Sequence, residues 1–135
     1  MIYKLYTDGG AKGNPGPGGC GAILFDPNDK LISFENKFLE RTTNNQAEYL
    51  ALIIGLKLAY RNGISNLNCY LDSELVVKQL NKIYKVKDKK IKELKQQIDV
   101  EVKNFKKINF VYISREKNTF ADKLVNLAVK CKLNK

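Results

Sequence analysis

Four carboxylates in this 135-residue sequence stand out by the residues around them. Asp8 lies in Tyr6-Thr7-Asp8-Gly9-Gly10 and Glu48 follows Thr43-Asn44-Asn45-Gln46-Ala47. Asp72 lies in Leu71-Asp72-Ser73, and Asp122 closes Asn118-Thr119-Phe120-Ala121-Asp122. Asp8 and Asp72 each end a short apolar run rich in β-forming residues, whereas Glu48 and Asp122 fall in the first turns of helical patterns. Carboxyl ends of neighbouring strands are where an α/β sheet places its ligand site. Carboxylates gathered there cannot all stay ionised without a cation, and ligation by oxygen alone is what Mg2+ prefers. The chemistry this implies is metal-dependent cutting of a polyanion.

Each acid also has an ordinary explanation. Asp8 ahead of Gly9-Gly10 could open a turn, and Asp72 could cap a helix beginning at Ser73. Asp122 would complement a helix dipole, and Glu48 could be one more solvated helix residue beside an apolar stripe. Taken together these explanations weaken, because the chain has only 14 acids and these four fall where a fold can join them. Their flanks are not generic either. Asn14-Pro15-Gly16-Pro17-Gly18-Gly19 presents backbone amides after Asp8, and Thr42-Thr43-Asn44-Asn45-Gln46 sets five hydrogen-bonding side chains just before Glu48. Such groups contact phosphate and sugar.

The composition agrees with that partner. Of 24 cationic residues only Arg41, Arg61 and Arg115 are arginine, and the net charge is +10. A polyanion, nucleic acid or a membrane surface, is the partner such charge suits. Between Lys78 and Lys107, both included, 11 lysines face four acids, with Tyr84 among them. That segment reads as a surface for a nucleic-acid backbone or as a plain solvated face. Cys20, Cys69 and Cys131 form no close pair and there is no histidine, so a zinc site lacks ligands. Reduced thiols place the expected site of action in the cytoplasm. The longest apolar run, Tyr49 to Leu56, is too short to span a bilayer, and no signal peptide opens the chain. The length fits one domain over residues 1–135.

The elements that must position the acids are legible in outline. Ile2 to Thr7 reads as a strand, Gly9 to Gly18 as a loop, and Gly19 to Phe25 and Leu31 to Leu39 as two further strands joined by the turn Asp26-Pro27-Asn28-Asp29. A long helix follows from about Asn44 to Asn62, opened by a Thr43/Gln46 capping box and stopped at Asn62-Gly63. Ala47, Leu50, Ala51, Ile54 and Leu58 form its core-facing stripe. A fourth strand, Leu67 to Leu71, precedes a short helix from Ser73 to Leu80. Then come a helix from Ile91 to Phe105, a fifth strand from Ile108 to Ile113, and a last helix from about Thr119 to Lys132. This order predicts a five-stranded mixed α/β sheet with helices packed on its faces.

At this point the sequence resembles the type 1 ribonuclease H family. The matching pieces are Tyr6-Thr7-Asp8-Gly9-Gly10 with Asn14-Pro15-Gly16, Thr43 to Glu48, Asp72-Ser73, and Asn118 through Asp122-Lys123-Leu124, in family order from Ile2 to about Cys131. The resemblance implies the ribonuclease H-like fold, with sheet order 3-2-1-4-5 and strand 2 antiparallel to the rest. It implies two Mg2+ ions, with Mn2+ as a substitute, about 4 Å apart at a scissile RNA phosphate. Asp8 would bridge them, Asp122 would serve the ion beside the attacking water, and Glu48 and Asp72 the ion beside the leaving oxygen. The substrate implied is the RNA strand of an RNA/DNA hybrid, cut to 5′-phosphate and 3′-hydroxyl ends. Gly9, Asn14, Asn44, Asn45, Gln46 and Ser73 match substrate-side positions, Arg41 and Thr43 a DNA-phosphate site, and Lys85, Lys87, Lys89 and Lys90 a reduced basic surface.

Two departures from the family pattern matter. The loop Ser114-Arg115-Glu116-Lys117-Asn118 lacks the histidine that many members carry, and Arg115 stays protonated, so it could act only electrostatically. That loop is similar to a branch found in archaea and some bacteria, part of which also accepts double-stranded RNA. The chain also has no Trp for a Trp-bearing basic protrusion. A free-standing monomer off the membrane is the expectation. The alternatives are a non-catalytic nucleic-acid binder, a domain derived from a reverse transcriptase, and an integrase or resolvase of the wider superfamily.

Overall fold

The computed structural model describes residues 1–133. Five strands, β1 (Tyr3–Ala11), β2 (Gly16–Phe25), β3 (Leu31–Thr42), β4 (Asn66–Leu71) and β5 (Lys107–Tyr112), form one sheet in the order β3-β2-β1-β4-β5. β2 runs antiparallel to β1 and β3, while β1, β4 and β5 are parallel. The predicted topology is therefore the one observed. β1 lies at the centre, joined on one side to its hairpin partner and on the other to a strand that begins more than 50 residues later.

The hairpin corrects one expectation. Gly9 to Gly18 is not a loop, because β1 continues to Ala11 and β2 begins at Gly16. Only residues 12–15, with a cis Asn14–Pro15 bond, make the connection, closed by Lys12 N–H donating to the Pro17 carbonyl at 2.7 Å. At Gly9, Gly19 and Gly21 the missing side chain lets a helix lie close above the sheet. A Cβ on Gly21 would meet the Leu124 Cβ at 2.7 Å, and one on Gly9 would stand 2.6 Å from the Glu48 nitrogen and closer still to the Ala47 carbonyl. Smaller shifts are that β3 runs on to Thr42, past Leu39, and that the third helix ends before Phe105.

The first helix, α1 (Asn44–Arg61), starts with the anticipated capping box. Thr43 Oγ1 accepts from Gln46 N–H at 3.1 Å and Gln46 Oε1 accepts from Thr43 N–H at 3.3 Å. Gly63 ends the turn after it at φ +73°, which suits glycine. The apolar stripe is broader than its spacing suggests. Tyr49, Leu52, Ile53, Leu56 and Ala59 are buried along with Ala47, Ala51 and Leu58, whereas Leu50 and Ile54 are only partly so. The reason is that α1 is covered on two sides, by the sheet and by α3 (Lys89–Val102). α3 is capped by Asp88 and faces α1 with Ile91, Leu94 and Ile98.

The short helix α2 (Glu74–Leu80) follows β4, and α4 (Thr119–Leu133) covers β1, β2 and β3. No helix among the described residues is long and apolar enough to cross a membrane.

Because α1 rests directly on Gly9, Gly9→Ala must push two backbones apart. We expect a loss of about 2–3 kcal/mol, the upper range for overpacking, and a fall in Tm of roughly 10 °C. Thermal melting checks it; an unchanged Tm would show that the two backbones separate freely.

Candidate active site

Gly9 is also where the site begins. With no side chain there, the first turns of α1 reach β1, and Glu48 turns inward rather than into solvent. It is buried, and Gly9 N–H donates to its Oε1 at 3.0 Å, while Oε2 has no hydrogen-bond partner among the described residues. Asp8 is one residue away on β1 and Asp72 follows the end of the neighbouring parallel strand β4. One carboxylate oxygen from each of Asp8, Glu48 and Asp72 can be chosen so that all lie within 4.8 Å of one another. Asp122, in the first turn of α4, stands close enough to Asp8 to act on its ionisation by charge and hydrogen bonding.

For Glu48, Asp8 and Asp72 the ordinary explanations fail on geometry, while Asp122 does lie in the first turn of α4, where a helix dipole favours an acid. Glu48 is not solvated, Asp8 is a strand residue rather than a turn opener, and the α2 cap is Ser73, whose Oγ accepts from Val76 N–H at 3.3 Å. Asp72 is held instead by Asn118, a fully buried residue. Its Nδ2 donates to Asp72 Oδ2 and to the Thr7 carbonyl, both at 2.8 Å, and so ties the loop before α4 to β1 and to the acids.

Burial pushes the Asp8 carboxyl up to about 7, with the charges of Asp72 and Asp122 adding to the shift and a hydrogen bond with Glu48 opposing it. Burial likewise holds Glu48 well above its ordinary value, reinforced by Asp8 and opposed by the Gly9 N–H. An all-oxygen donor set, crowded acids that resist ionising together, and an unpartnered buried Glu48 oxygen together fit a hard divalent cation.

A cleft of about 400 Å³ opens over these groups. It is lined by all four acids and by Gly9, Asn44, Asn45, Ser73 and Arg115, as the sequence anticipates. Lys12 and Asn126 line it too, and sequence reasoning did not single them out. The remaining predicted residues do not line the cleft. Asn14 braces it from outside, its Oδ1 accepting from Asn44 N–H at 3.0 Å, while Asn44 Oδ1 accepts from Ala11 N–H at 2.9 Å. Thr43 and Gln46 form the capping box, and Arg41 is exposed near the end of β3. Lys85, Lys87, Lys89 and Lys90 are exposed around the start of α3. Asn118 stands inside a matching motif, yet nothing in that motif's residues points to its role as a brace.

A family profile described as reverse transcriptase-like matches residues 6–128. The chain is 39% identical over 130 residues to the bifunctional protein Rv2228c of Mycobacterium tuberculosis, covering 96% of this chain and 36% of that protein. It is 32% identical over 124 residues to ribonuclease HI of Halobacterium salinarum, covering 92% of this chain and 62% of that one. The chain thus spans between about a third and two thirds of the length of these curated relatives. Among solved structures, the N-terminal RNase H domain of Rv2228c matches with a TM-score of 0.95 at 34% identity, covering 99% of this chain and 97% of that one. LC11-RNase H1 in complex with an RNA/DNA hybrid matches with a TM-score of 0.93 at 38% identity, covering 97% and 99%.

The raised Asp8 value fixes the sign of a stability change. Below the ordinary value of 3.8 the group is protonated in both folded and unfolded chains. Between that value and about 7 the folded protein keeps a proton that the unfolded chain has released, so stability falls as pH rises and then levels off. In chelator, Asp8→Asn should match the native protein near pH 4 and melt at a higher temperature at pH 8. A melting difference that does not change with pH would show that Asp8 ionises normally.

Proposed function

The chain belongs to the ribonuclease H family, and on that footing we propose that it is a metal-dependent endoribonuclease that hydrolyses the RNA strand of RNA/DNA hybrids to 5′-phosphate and 3′-hydroxyl ends. The observation that carries this reading is the Asp8, Glu48 and Asp72 trio, with oxygens within 4.8 Å of one another, set in a chain of net charge +10. A pure nucleic-acid binder gains nothing from repelling acids placed beside phosphates. The complex of LC11-RNase H1 with a hybrid supports the same substrate class.

Asp8, Glu48, Asp72 and Asp122 would hold the ions, Mg2+ or Mn2+. When bound, such ions neutralise charge and supply Lewis acidity at a phosphate. The chain's own contribution is placement. Asn118 fixes Asp72, and Gly9 N–H fixes Glu48. Asn44 and Asn45 line the cleft beside the acids, where polar side chains can test for the 2′-hydroxyl that separates RNA from DNA. Asn14 and Gln46 commit their carbonyl oxygens to the α1 terminus, which leaves their NH2 groups as donors towards the RNA strand. Arg41 and the Thr43 hydroxyl would hold a phosphate of the DNA strand, and the lysines from Lys85 to Lys90 its backbone farther along. Cys20 and Cys69 are buried free thiols, which suits a monomer working in the reducing cytoplasm.

Matched RNA/DNA, RNA/RNA and DNA/DNA duplexes test the proposal. The hybrid should be cut with Mg2+ or Mn2+ and spared in chelator, and Asp8→Asn should be folded and inactive. Cleavage that survives chelation, or an active Asp8→Asn protein free of host nuclease, would end the metal assignment. The RNA/RNA arm reads how strictly hybrids are preferred.

Arg115 lines the cleft and cannot act as a base, so any role is electrostatic. Arg115→Lys should therefore retain much of the rate and Arg115→Ala lose substantially more. With no histidine in the chain, the pH–rate profile should lack an imidazole inflection near pH 6.5. Equal activity in the two variants would remove Arg115 from the mechanism.

Changing Lys85, Lys87, Lys89 and Lys90 to Gln should flatten the salt dependence of hybrid affinity, by about 0.9 in log–log slope for each phosphate they neutralise. An unchanged slope would make them a solvated surface only.

A further inference from the structure

Asn118, the brace of Asp72, also lines a second cleft, of about 460 Å³, that the mechanism does not use. Its walls are aromatic. Tyr6 is stacked on Tyr70 at 4.8 Å between ring centroids and meets Phe25 edge-on at 5.7 Å. Phe25 in turn lies 6.1 Å from Phe120, which lies in the first turn of α4 and is 59% exposed. Phe120 stays open to solvent beside rings packed on one another, and so offers an aromatic surface to a flat guest. The polar side chains facing this space are Lys4, Asp29, Lys117 and Thr119. Lys4 is paired with Asp29, so the three charged groups sum to a single positive charge.

We infer that this cleft binds one unpaired nucleotide of a nucleic-acid strand, with the base against Phe120 and Tyr6 and its phosphate on Lys117. The chemistry of the walls selects the guest. A base has an exposed π-face only when it is not stacked within a duplex, and aromatic platforms flanked by cations are how single strands are held. One net positive charge matches one phosphodiester. An aliphatic guest would make no use of the Lys117 charge. Asp29 refines the choice. Its side chain is 72% exposed, and a carboxylate can accept both N1–H and N2–H of guanine, a pair of donors that uracil lacks. Because Asn118 in the wall of this cleft donates to Asp72 in the wall of the first, the nucleotide bound here would belong to a single-stranded stretch beside the paired segment at the acids.

The inference is tested by binding in chelator, where metal-dependent cleavage cannot occur, so a failure to cleave and a failure to bind remain distinguishable. Fluorescent RNA/DNA hybrids are compared blunt, with a three-nucleotide unpaired G extension, and with a U extension. The native protein should bind the G-extended hybrid about tenfold tighter than the blunt one, within the range for stacking a base on an aromatic side chain. Phe120→Ala and Lys117→Gln should each remove most of that advantage and leave blunt affinity as it was. Guanosine 5′-monophosphate separates the two sources of the nucleotide. Competition against the G-extended hybrid alone shows that a free nucleotide also fills the cleft, and no competition assigns it to the strand. No advantage for the extension, or one that persists in both variants, overturns the inference. A U extension as good as G overturns the role given to Asp29.

Discussion

Position 9 has no room for a side chain, and most of what is particular to this molecule follows from that. The backbone of α1 comes down on β1 at Gly9, so Ala47 packs flush and the next residue, Glu48, points into the protein. Glu48 then meets Asp8 and Asp72, and Gly9 N–H donates to its Oε1. A residue with a Cβ here would lift the helix, turn Glu48 towards solvent and separate the acids. The close approach sets unfavourable electrostatics against a large apolar interface. Leu52, Leu56 and Ala59 of α1 lie within one cluster with Leu5, Leu24 and Leu67 of the sheet. Burial of that extent can hold a few repelling carboxylates in place.

The hydrogen bonds around the site act on orientation more than on cohesion. Asn118 directs both protons of one nitrogen to two acceptors from different elements, the Thr7 carbonyl and Asp72. Serine has one proton to give, and a lysine would bring a charge into a fully buried position, so few side chains could take its place. On the other flank, Asn14 and Asn44 link the hairpin connection to the start of α1. Two strands and two helix starts are thereby fixed around the acids without any element being unusually long.

Much of this was legible in the sequence where local chemistry is specific. The capping box at Thr43 and Gln46 and the stop at Asn62-Gly63 bounded α1, and the settings of the four acids set them apart from the other ten. What was not legible came from tertiary packing. Glycine in Gly9-Gly10 and at Gly16 and Gly18 reads locally as loop, yet here these residues are in strands, and at Gly9 the missing side chain lets a helix backbone pack directly on the sheet. The α1 stripe came out too narrow because spacing along a helix shows one buried face, and α3 covers another. The second role of Asn118 needed coordinates, since nothing in its neighbours says that its amide reaches residues 111 and 46 positions away.

The central place of β1 has a kinetic side. Asp8 pairs early in the chain with its hairpin partner, but the other acids arrive from residues 48, 72 and 122, on elements that can dock only after long loops have closed. Such non-local contacts are slow to form, because the loops between them must close first. Where the acids meet only after the folding barrier, their mutual repulsion is felt by the finished protein and not by the transition state, so its removal would slow unfolding and leave the folding rate nearly untouched. A cation seated among them would do the same. The lifetime of the folded chain would lengthen with ion concentration, while the time it takes to fold would not.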